Sequence, residues 1–409
     1  MLKRYTKMLL KTVTLLNLVI AISGYNFQKC SHREALFALE RPIYEFAVAL
    51  SSRICEDTRG HFAFSPLTTW LQLVALSQGT KGLTRREIWN ITGLTRGRFR
   101  SCYRREFKHI LHRLSKDLSH ELKRSSVMVI DKFSLVKRAF QLQARSLSDI
   151  KVLSLNFDDK EACAYKVNDL ANDETDGAIN EILGAEDFNW SLLLMADAVY
   201  FKSAWRYPFN TALTEQLEFY SEENGLIGHV QMMKNAQMYN YTEIPLINAR
   251  VLEIPCENER LSMLIFLPIN QEHSVTDLYH SMKHTNLRGI FNKFQDEGLR
   301  SVNLSLPRFE VNVDLELPEI LYDMGANRMF DPDNGDMKGI SDYMMQVSVM
   351  AQTVKLRVTE EYVSGSVAAM AMLDSEDIVT FNANRPFGFM LVDKHTDFIL
   401  ISGMYSENY

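Results

Sequence analysis

The sequence has little of what builds fibrous or disulfide-stapled proteins. Its 409 residues include only 18 Gly and 10 Pro, too few for a collagen-like or Pro-rich chain. Five Cys at wide, irregular spacing and without a C-x-x-C pair exclude a disulfide scaffold and disfavour a zinc knuckle. Their odd number leaves at least one thiol free or intermolecular. The net charge of −6 argues against a protein that coats nucleic acid.

The signatures of common enzymes are also absent. The sequence holds no G-x-S-x-G elbow, no H-E-x-x-H helix, no phosphate-binding G-x-x-x-x-G-K loop and no Gly-rich dinucleotide turn. His109 and His112 lie three positions apart, but two His give too few ligands for a closed metal site. We therefore expect no enzyme activity, no metal and no cofactor.

A short apolar run lies near the N-terminus. Four basic residues between positions 3 and 11 precede the apolar run 12–23, which ends in the small-x-small triplet Ala21-Ile22-Ser23. This order is typical of a secretory signal peptide. A membrane anchor is the alternative, but the run is shorter than the roughly 20 residues that span a bilayer. We expect residues 1–23 to be a signal peptide and the protein to be secreted and extracellular.

Secretion makes N-glycosylation relevant. The acceptor triplet N-x-S/T occurs at Asn90, Asn189, Asn240 and Asn303. Asn303 falls within a strand pattern and is expected to be inaccessible. Asn90, Asn189 and Asn240 remain as glycosylation candidates.

Helical periodicity is concentrated in the first half of the chain. Segments 32–55 and 66–79 have apolar residues at helical spacing. Thr84–Glu87 matches a capping box that would open the next helix, and Gly93 would end that helix. A later helix is predicted over Leu315–Met324, closing at the following Gly.

Strand patterns dominate the second half. The apolar run 192–201 is typical of a strand buried on both faces. Residues 230–267 alternate as strands with short turns, and segments 387–392 and 398–404 form a terminal hairpin. This order favours one α+β domain over an array of βαβ units.

Segment 96–124 is strongly basic, with ten Lys and Arg against three acidic residues. Within it, Phe107, Ile110, Leu111 and Leu114 form a helical apolar stripe. A solvated helix face is the commoner meaning of such a charge run. The alternative is a site for a sulfated polysaccharide or another polyanion. The residues that would form it are Arg100, Arg104, Arg105, Lys108 and Arg113.

Several motifs follow one another from about residue 35 to the end of the chain. They are Phe64–Leu67 with Leu76–Gly82, Val167–Ile179, Asp197–Trp205 with Pro208-Phe209, Leu304–Phe309, Leu321–Gly325, Phe330, Gly339–Ser341 and Phe381–Phe387. Each is weak alone, but the ordered set resembles the serpin family. The resemblance implies a single α+β domain over residues 32–409, with three β-sheets, about eight or nine helices and an exposed reactive-centre loop.

The resemblance also implies a mechanism. In serpins a serine protease cleaves the exposed loop and forms an acyl-enzyme, and the loop then inserts as a new strand into a large sheet. The corresponding loop here covers about residues 360–379 and is rich in small residues, which suit a closing gap. Two hypotheses remain open. The protein is a secreted serine protease inhibitor, or a non-inhibitory serpin acting as a binding, carrier or decoy-substrate protein.

The loop departs from the family pattern at its hinge. In the ungapped register, Tyr362 and Val363 take the places of the usual Gly and Thr, and this bulky pair should slow backbone rotation. An alternative register makes Gly365-Ser366 the hinge. The hinge candidates are therefore Glu360, Glu361, Tyr362, Val363, Gly365, Ser366, Ala368 and Ala369.

Two counts along the loop disagree about the scissile bond. Counting forward from Glu360 places it near Glu376-Asp377, and counting back from Phe381 places it near Leu373-Asp374. The disagreement means that the loop is short. Leu373 as the bait residue implies a chymotrypsin-like or elastase-like protease, whereas Glu376 implies an acid-selective one.

The resemblance adds expectations about partners. An extracellular serine protease is the expected partner, sulfated polysaccharide is a further one, and no nucleic acid or membrane is expected. The protein is expected to be a monomer. Asp197 replaces the Asn that is usual in its strand, which would put a charge where a neutral hydrogen bond is expected.

Overall fold

The computed structural model describes residues 30–406 apart from residues 59, 95–100, 224, 271–272 and 361–377. Nine α-helices and fourteen strands lie in this described part. The helices are α1 (His32–Asp57), α2 (Pro66–Gly79), α3 (Gly82–Ile91), α4 (Ser101–Asp117), α5 (Arg138–Ser148), α6 (Lys160–Glu174), α7 (Val275–Ser281), α8 (Leu287–Glu297) and α9 (Pro318–Asp323).

The strands follow the same order along the chain. They are β1 (Phe62–Phe64), β2 (Leu122–Asp131), β3 (Lys151–Leu155), β4 (Leu193–Phe201), β5 (Glu215–Tyr220), β6 (Leu226–Ile244), β7 (Ala249–Pro255), β8 (Leu261–Pro268), β9 (Leu299–Pro307), β10 (Phe309–Glu316), β11 (Val347–Val358), β12 (Val379–Asn382), β13 (Phe387–Asp393) and β14 (Phe398–Tyr405).

The described strands form two hydrogen-bonded networks. A five-stranded sheet has the order β10-β11-β4-β2-β3, in which β11 and β4 run parallel. A nine-stranded network has the order β1-β14-β13-β8-β7-β6-β9-β12, with β5 on β6. Its strand β6 pairs with β5 near its start and with β7 near its end. This unbroken strand joins two of the three predicted sheets into one network.

The long helices begin where the sequence supplies caps or buried faces. Ser31 caps α1, because its hydroxyl accepts the N–H of Glu34 at 3.2 Å while the Glu34 carboxylate accepts the N–H of Ser31 at 2.7 Å. Pro66 starts α2, where its missing N–H costs nothing. Almost every residue of α2 is buried, so this helix forms the centre of the molecule.

The apolar stripe predicted in the basic segment is confirmed. Phe107, Ile110, Leu111 and Leu114 of α4 are all buried in the main core, and Phe107 packs edge-on against Trp70 of α2. The prediction that the run 192–201 is buried on both faces is confirmed as well. Met195 and Val199 of β4 face the main core, whereas Leu194 and Ala196 face a second core under α6.

Two local predictions need correction, and several elements were not predicted. The capping box at Thr84–Glu87 is wrong, because α3 begins at Gly82 and the Thr84 hydroxyl accepts the N–H of Asp336 at 2.9 Å. The helix predicted over Leu315–Met324 starts only at Pro318, because Leu315 pairs with Gln352 in β10 and β11. Helices α5 and α8 and strand β11 were not predicted.

None of the described helices is long and apolar enough to cross a bilayer.

Candidate functional site

The two strands that flank the predicted reactive loop belong to different sheets. Strand β11 lies inside the five-stranded sheet, between β10 and β4. Strand β12 lies at an edge of the nine-stranded network and pairs parallel with β9, with Val379 opposite Val302. The chain therefore passes from one sheet to the other between Glu360 and Ile378.

The start of this connection is fixed by side chains from three other segments. The indole Nε1 of Trp205 donates to the Thr359 carbonyl at 2.9 Å. The Thr214 hydroxyl donates to Oε1 of Glu360 at 2.6 Å, and the Arg308 guanidinium lies 3.6 Å from the same oxygen. Glu360 is buried. The first hinge candidate is thus held by a hydrogen bond and an ion pair.

The other loop candidates lie outside the described residues. For the hinge these are Glu361, Tyr362, Val363, Gly365, Ser366, Ala368 and Ala369. For the reactive site they are Leu373, Asp374, Glu376 and Asp377.

A buried polar cluster, which we call the Asp197 junction, links the strands at the centre of the five-stranded sheet. It comprises Asp197 of β4, Ser126 of β2, Gln352 of β11 and Gln72 of α2. Ser126 and Gln72 both donate to Oδ1 of Asp197, Gln72 at 2.8 Å. The amide nitrogen of Gln352 lies 3.5 Å from Oδ2. The junction therefore connects three neighbouring strands with the central helix.

The carboxyl group of Asp197 is almost completely buried. Burial raises its pKa above the ordinary value, because a charged carboxylate loses its hydration there. The hydrogen bond from Ser126 and the positive charge of Arg124 act in the opposite direction. The substitution noted in the sequence thus places a titratable group inside the sheet.

Gln352 ties β11 to the start of α2. Its side-chain oxygen accepts the N–H of Ser65, and its side-chain nitrogen donates to the Thr68 hydroxyl at 2.8 Å and the Ser65 carbonyl at 3.2 Å. In the parallel pairing of β11 with β4, Gln352 lies directly opposite Asp197. The two strands are therefore joined at this point by side chains as well as by the backbone.

The structure also brings together a Ser, a His and a Glu that no sequence pattern connects. The Ser52 hydroxyl lies 2.8 Å from Nδ1 of His280, and Nε2 of His280 lies 2.8 Å from a Glu56 oxygen. Ser52 is buried within α1, where backbone N–H groups bond within the helix and leave no pair of donors for an oxyanion. We interpret the contacts of His280 with Ser52 and Glu56 as a link between α1 and α7.

The exposed side of α4 carries six basic side chains, which we call the basic face. It comprises Arg105, Lys108, His109, His112, Arg113 and Lys116. Three of the predicted polyanion residues, Arg105, Lys108 and Arg113, belong to it. Arg104 is half-buried and donates to Gln78 at 3.4 Å, and Arg100 lies outside the described residues.

The glycosylation candidates differ in their surroundings. Asn90 and Asn189 are exposed. Asn240 is half-buried in β6, and its amide donates to Glu253 at 2.6 Å. The prediction that Asn303 is inaccessible is wrong. It lies in a strand as predicted, but its side chain is exposed because the buried side chains of β9 around it point to the opposite face.

The cysteines fall into two groups. Cys55, Cys163 and Cys256 are free and buried, which confirms that at least one thiol is unpaired. Burial raises the pKa of Cys55 to about 11 and that of Cys256 to about 12, so neither is a reactive thiolate at neutral pH. Cys30 is disulfide-bonded. Within the described segments, no three His, Cys, Asp or Glu lie close enough together to hold a metal ion.

These features define an α+β protein in which a long connection leaves the interior of one sheet and enters the edge of another. A model of the Serpin (serine protease inhibitor) family matches residues 42–408. The chain therefore belongs to the serpin family, and the predicted fold is confirmed.

Individual relatives agree with this assignment. Antitrypsin of Bombyx mori is 25% identical over 336 residues, which cover 80% of this chain and 83% of the relative. The leukocyte elastase inhibitor of Xenopus tropicalis is 27% identical over 377 residues, covering 88% of this chain and 97% of the relative. A solved structure of a tumour suppressing serpin has 25% identity and a TM-score of 0.79, covering 91% of this chain and 99% of that chain. The curated relatives thus include protease inhibitors by name.

Proposed function

We propose that this protein is a secreted inhibitor of a serine endopeptidase, and is not itself an enzyme. The target cleaves the loop within residues 360–379, and the loop then inserts as a strand of the five-stranded sheet. The single observation that carries this proposal is the parallel pairing of β11 with β4 beside the start of the loop.

The geometry supports insertion between these two strands. The loop leaves β11 at Thr359-Glu360, so a strand that folds back along β11 runs antiparallel to it. Because β4 is parallel to β11, the same strand is antiparallel to β4 as well. Insertion therefore replaces one parallel pairing by two antiparallel pairings, which are slightly more stable per residue. It also gives hydrogen-bond partners to the backbone of the inserted segment.

The composition of the loop supports the same event. Strand β4 is buried on both faces, by the main core and by the core under α6. An inserted neighbour would face the same two layers, where large or charged side chains fit poorly. The sequence from Ser364 to Ala371 consists mainly of Ser, Gly, Ala and Val.

A thermal melt before and after limited cleavage within residues 370–377 tests this function. We expect a large rise in melting temperature, because insertion completes the sheet. The variant Ala368→Glu should still be cleaved but show no rise, since insertion would bury a carboxylate. Ile378→Glu is the matched control, because it follows both candidate scissile bonds and is exposed. No rise in the unaltered protein would refute insertion.

A non-inhibitory serpin, acting as a binding, carrier or decoy-substrate protein, is the second candidate function. It is favoured by the bulky pair Tyr362-Val363 at the hinge and by the short loop. The two functions differ in the fate of the protease. A trapped acyl-enzyme survives denaturing electrophoresis as a covalent complex, whereas a decoy substrate is cleaved and the protease stays active.

We propose Leu373 as the bait residue and a chymotrypsin-like or elastase-like protease as the target. Mass spectrometry of the cleaved loop identifies the scissile bond. The variant Leu373→Arg should move susceptibility towards trypsin, which selects basic residues. If Glu376→Arg has this effect and Leu373→Arg has none, Glu376 takes the bait position.

We further propose that residues 1–23 are removed on secretion and that residues 32–409 form the functional monomeric domain. The disulfide at Cys30 supports an oxidising compartment. N-terminal sequencing of the protein collected from culture medium tests the cleavage site. A mature chain that still contains residues 12–23 would contradict it.

We also propose that the basic face of α4 binds a sulfated polysaccharide. Retention on a sulfated matrix should fall steeply with salt. The variant pair Lys108→Ala and Arg113→Ala should elute at lower salt. Arg104→Ala is the matched control, because this side chain is directed to Gln78.

A further inference from the structure

Three acidic residues precede strand β12 in the sequence. They are Asp374, Glu376 and Asp377, and β12 begins at Val379. Ile378 is the first described residue after the loop. Because consecutive Cα atoms are 3.8 Å apart, the Cα of Asp377 lies within about 8 Å of that of Val379. The end of the loop therefore brings negative charge to the edge of the nine-stranded network.

A polar cleft of about 450 Å³ lies at this edge, and we call it the β12 cleft. Val379 and Thr380 of β12 form one wall. Four charged side chains from β6, β7, α8 and β9 complete the lining, and they are Glu243, Arg250, Glu297 and Arg300. The segment that follows the acidic residues is thus part of a charged cleft.

Both acids of the β12 cleft already have partners. The carboxylate of Glu243 accepts a hydrogen bond from the Tyr241 hydroxyl at 2.7 Å and lies 3.4 Å from Nε of Arg250. The carboxylate of Glu297 lies 3.2 Å from Nζ of Lys293. One cation therefore neutralises each of the two acids.

The remaining cation of the cleft has no such partner. The Arg300 side chain is exposed and forms no hydrogen bond or ion pair with any described residue. A further guanidinium lies nearby, since burial and the positive charge of Arg250 together lower the pKa of Arg385. The cleft and its surroundings therefore carry an excess of positive charge, and Arg300 is available to an acidic group.

The strand register indicates which acidic residue meets Arg300. Strand β12 pairs parallel with β9, and Val379 lies opposite Val302. The residues two positions earlier on the two strands are Asp377 and Arg300, and β9 already includes Arg300. Paired strands lie about 4.8 Å apart, and residues two positions apart share a face. Continued pairing would put the carboxylate and the guanidinium side by side on one face.

We propose that Asp377 pairs with Arg300 in the β12 cleft and anchors the C-terminal end of the reactive loop. The Glu376-Asp377 bond then lies at the sheet edge, whereas the Leu373-Asp374 bond stays ahead of it. Arg300 is thus a positioning residue that decides which of the two candidate bonds a protease reaches. This inference rests on the proposed function, because it fixes the bait position of the loop.

Glutamyl endopeptidase, which cleaves after Glu, tests the anchor. Mass spectrometry compares its rate at Glu376-Asp377 in the full-length mature protein with its rate on a synthetic peptide of residues 370–380. Cleavage of an anchored bond requires local opening, so the ratio of the two rates reports the open population. Arg300→Glu should raise this ratio at least about threefold, because repulsion replaces attraction. Arg145→Glu, at an exposed site on α5, should leave the ratio unchanged.

A charge swap isolates the pair. The double variant Arg300→Glu with Asp377→Arg should restore slow cleavage, relative to a peptide with the same change at position 377. The double variant Arg300→Glu with Asp374→Arg is the matched control and should not restore it, because position 374 falls beyond the start of β9 in this register. Arg300 is exposed, so the fold should tolerate its replacement.

The outcomes separate the anchor from the proposed function. The anchor is overturned if Arg300→Glu leaves the ratio unchanged, or if Asp374→Arg restores slow cleavage as well as Asp377→Arg does. Insertion is judged by the rise in melting temperature after cleavage of the loop. If that rise is absent while the charge swap restores slow cleavage, the inhibitor function fails and the pairing of Asp377 with Arg300 stands.

Discussion

The strands of the nine-stranded network and those of the five-stranded sheet are held together in different ways. In the nine-stranded network, β8, β13 and β14 pair antiparallel, and every residue of the three is buried. In the five-stranded sheet, β4 and β11 pair parallel and bury Asp197 opposite Gln352. Separating β8, β13 and β14 would expose continuous apolar surface. The polar groups of β4 and β11, by contrast, can form hydrogen bonds to an incoming strand. Polar side chains are thus placed where strands are proposed to separate.

The largest expected effect belongs to the apolar network. Phe389 of β13 is fully buried, and its ring centroid lies 5.7 Å from that of Phe309. Phe389→Ala should lower the free energy of unfolding by about 3–5 kcal/mol, through lost burial and a residual cavity. Urea unfolding of the uncleaved and the loop-cleaved protein measures it. We expect Phe389→Ala to lower the free energy of unfolding by a similar amount in the uncleaved and the loop-cleaved protein. Leu142→Ala, at an exposed site, should change stability by less than about 0.5 kcal/mol.

A smaller and pH-dependent effect is expected at the Asp197 junction. Asp197→Asn should stabilise the uncleaved protein at pH 7.5, because it removes a charge that burial disfavours. An Asn side chain can still accept from Ser126 and Gln72. The pKa of Asp197 is raised by folding, so the stability that its protonated form supplies is present below about pH 4 and is lost as the pH rises through the folded pKa.

The difference between Asp197→Asn and the unaltered protein should therefore grow from pH 4 to pH 7.5. Melting temperatures across this range measure it. A difference independent of pH would show that the carboxyl group is not the cause. Asp314→Asn, at an exposed position of β10, serves as the control.

The smallest effect is expected at the start of the loop. Glu360→Gln keeps an acceptor for Thr214 but removes the ion pair with the partly exposed Arg308. Its cost should be below about 1 kcal/mol. Loop insertion after cleavage should become faster, because the hinge is held less firmly in the starting state. Time-resolved melting after cleavage measures the rate, and an unchanged rate would show that this contact does not restrain the hinge.

Strongly periodic segments were predictable from the sequence. The apolar stripe of α4 and the run that forms β4 need no tertiary information, because each pattern is continuous and buried on the expected side. Strand β11 was missed because its sequence mixes apolar residues with Gln352, Lys355 and Arg357. Its place depends on pairing with β10 and β4, which lie far away in the chain.

The candidate site was predictable to a smaller extent. The resemblance located the loop, and the unusual Asp197 was visible at once. Its partners were not, since Gln72 and Gln352 are 125 and 155 positions from it. The same holds for Ser52 and His280, which are 228 positions apart. Such contacts depend on the topology of the fold, and no local sequence spacing predicts them.

The pairing of β1 with β14 also affects how the chain folds while it is being synthesised. The hydroxyl of Ser51 in α1 lies 2.8 Å from that of Ser402 in β14, although 351 positions separate the two residues. At about 5–20 residues per second, the ribosome needs roughly 20–70 s to supply the second partner after the first. Throughout that interval the apolar faces of α1 and α2 lack their cover from β14. The nascent chain therefore exposes apolar surface, which favours aggregation, until that strand emerges.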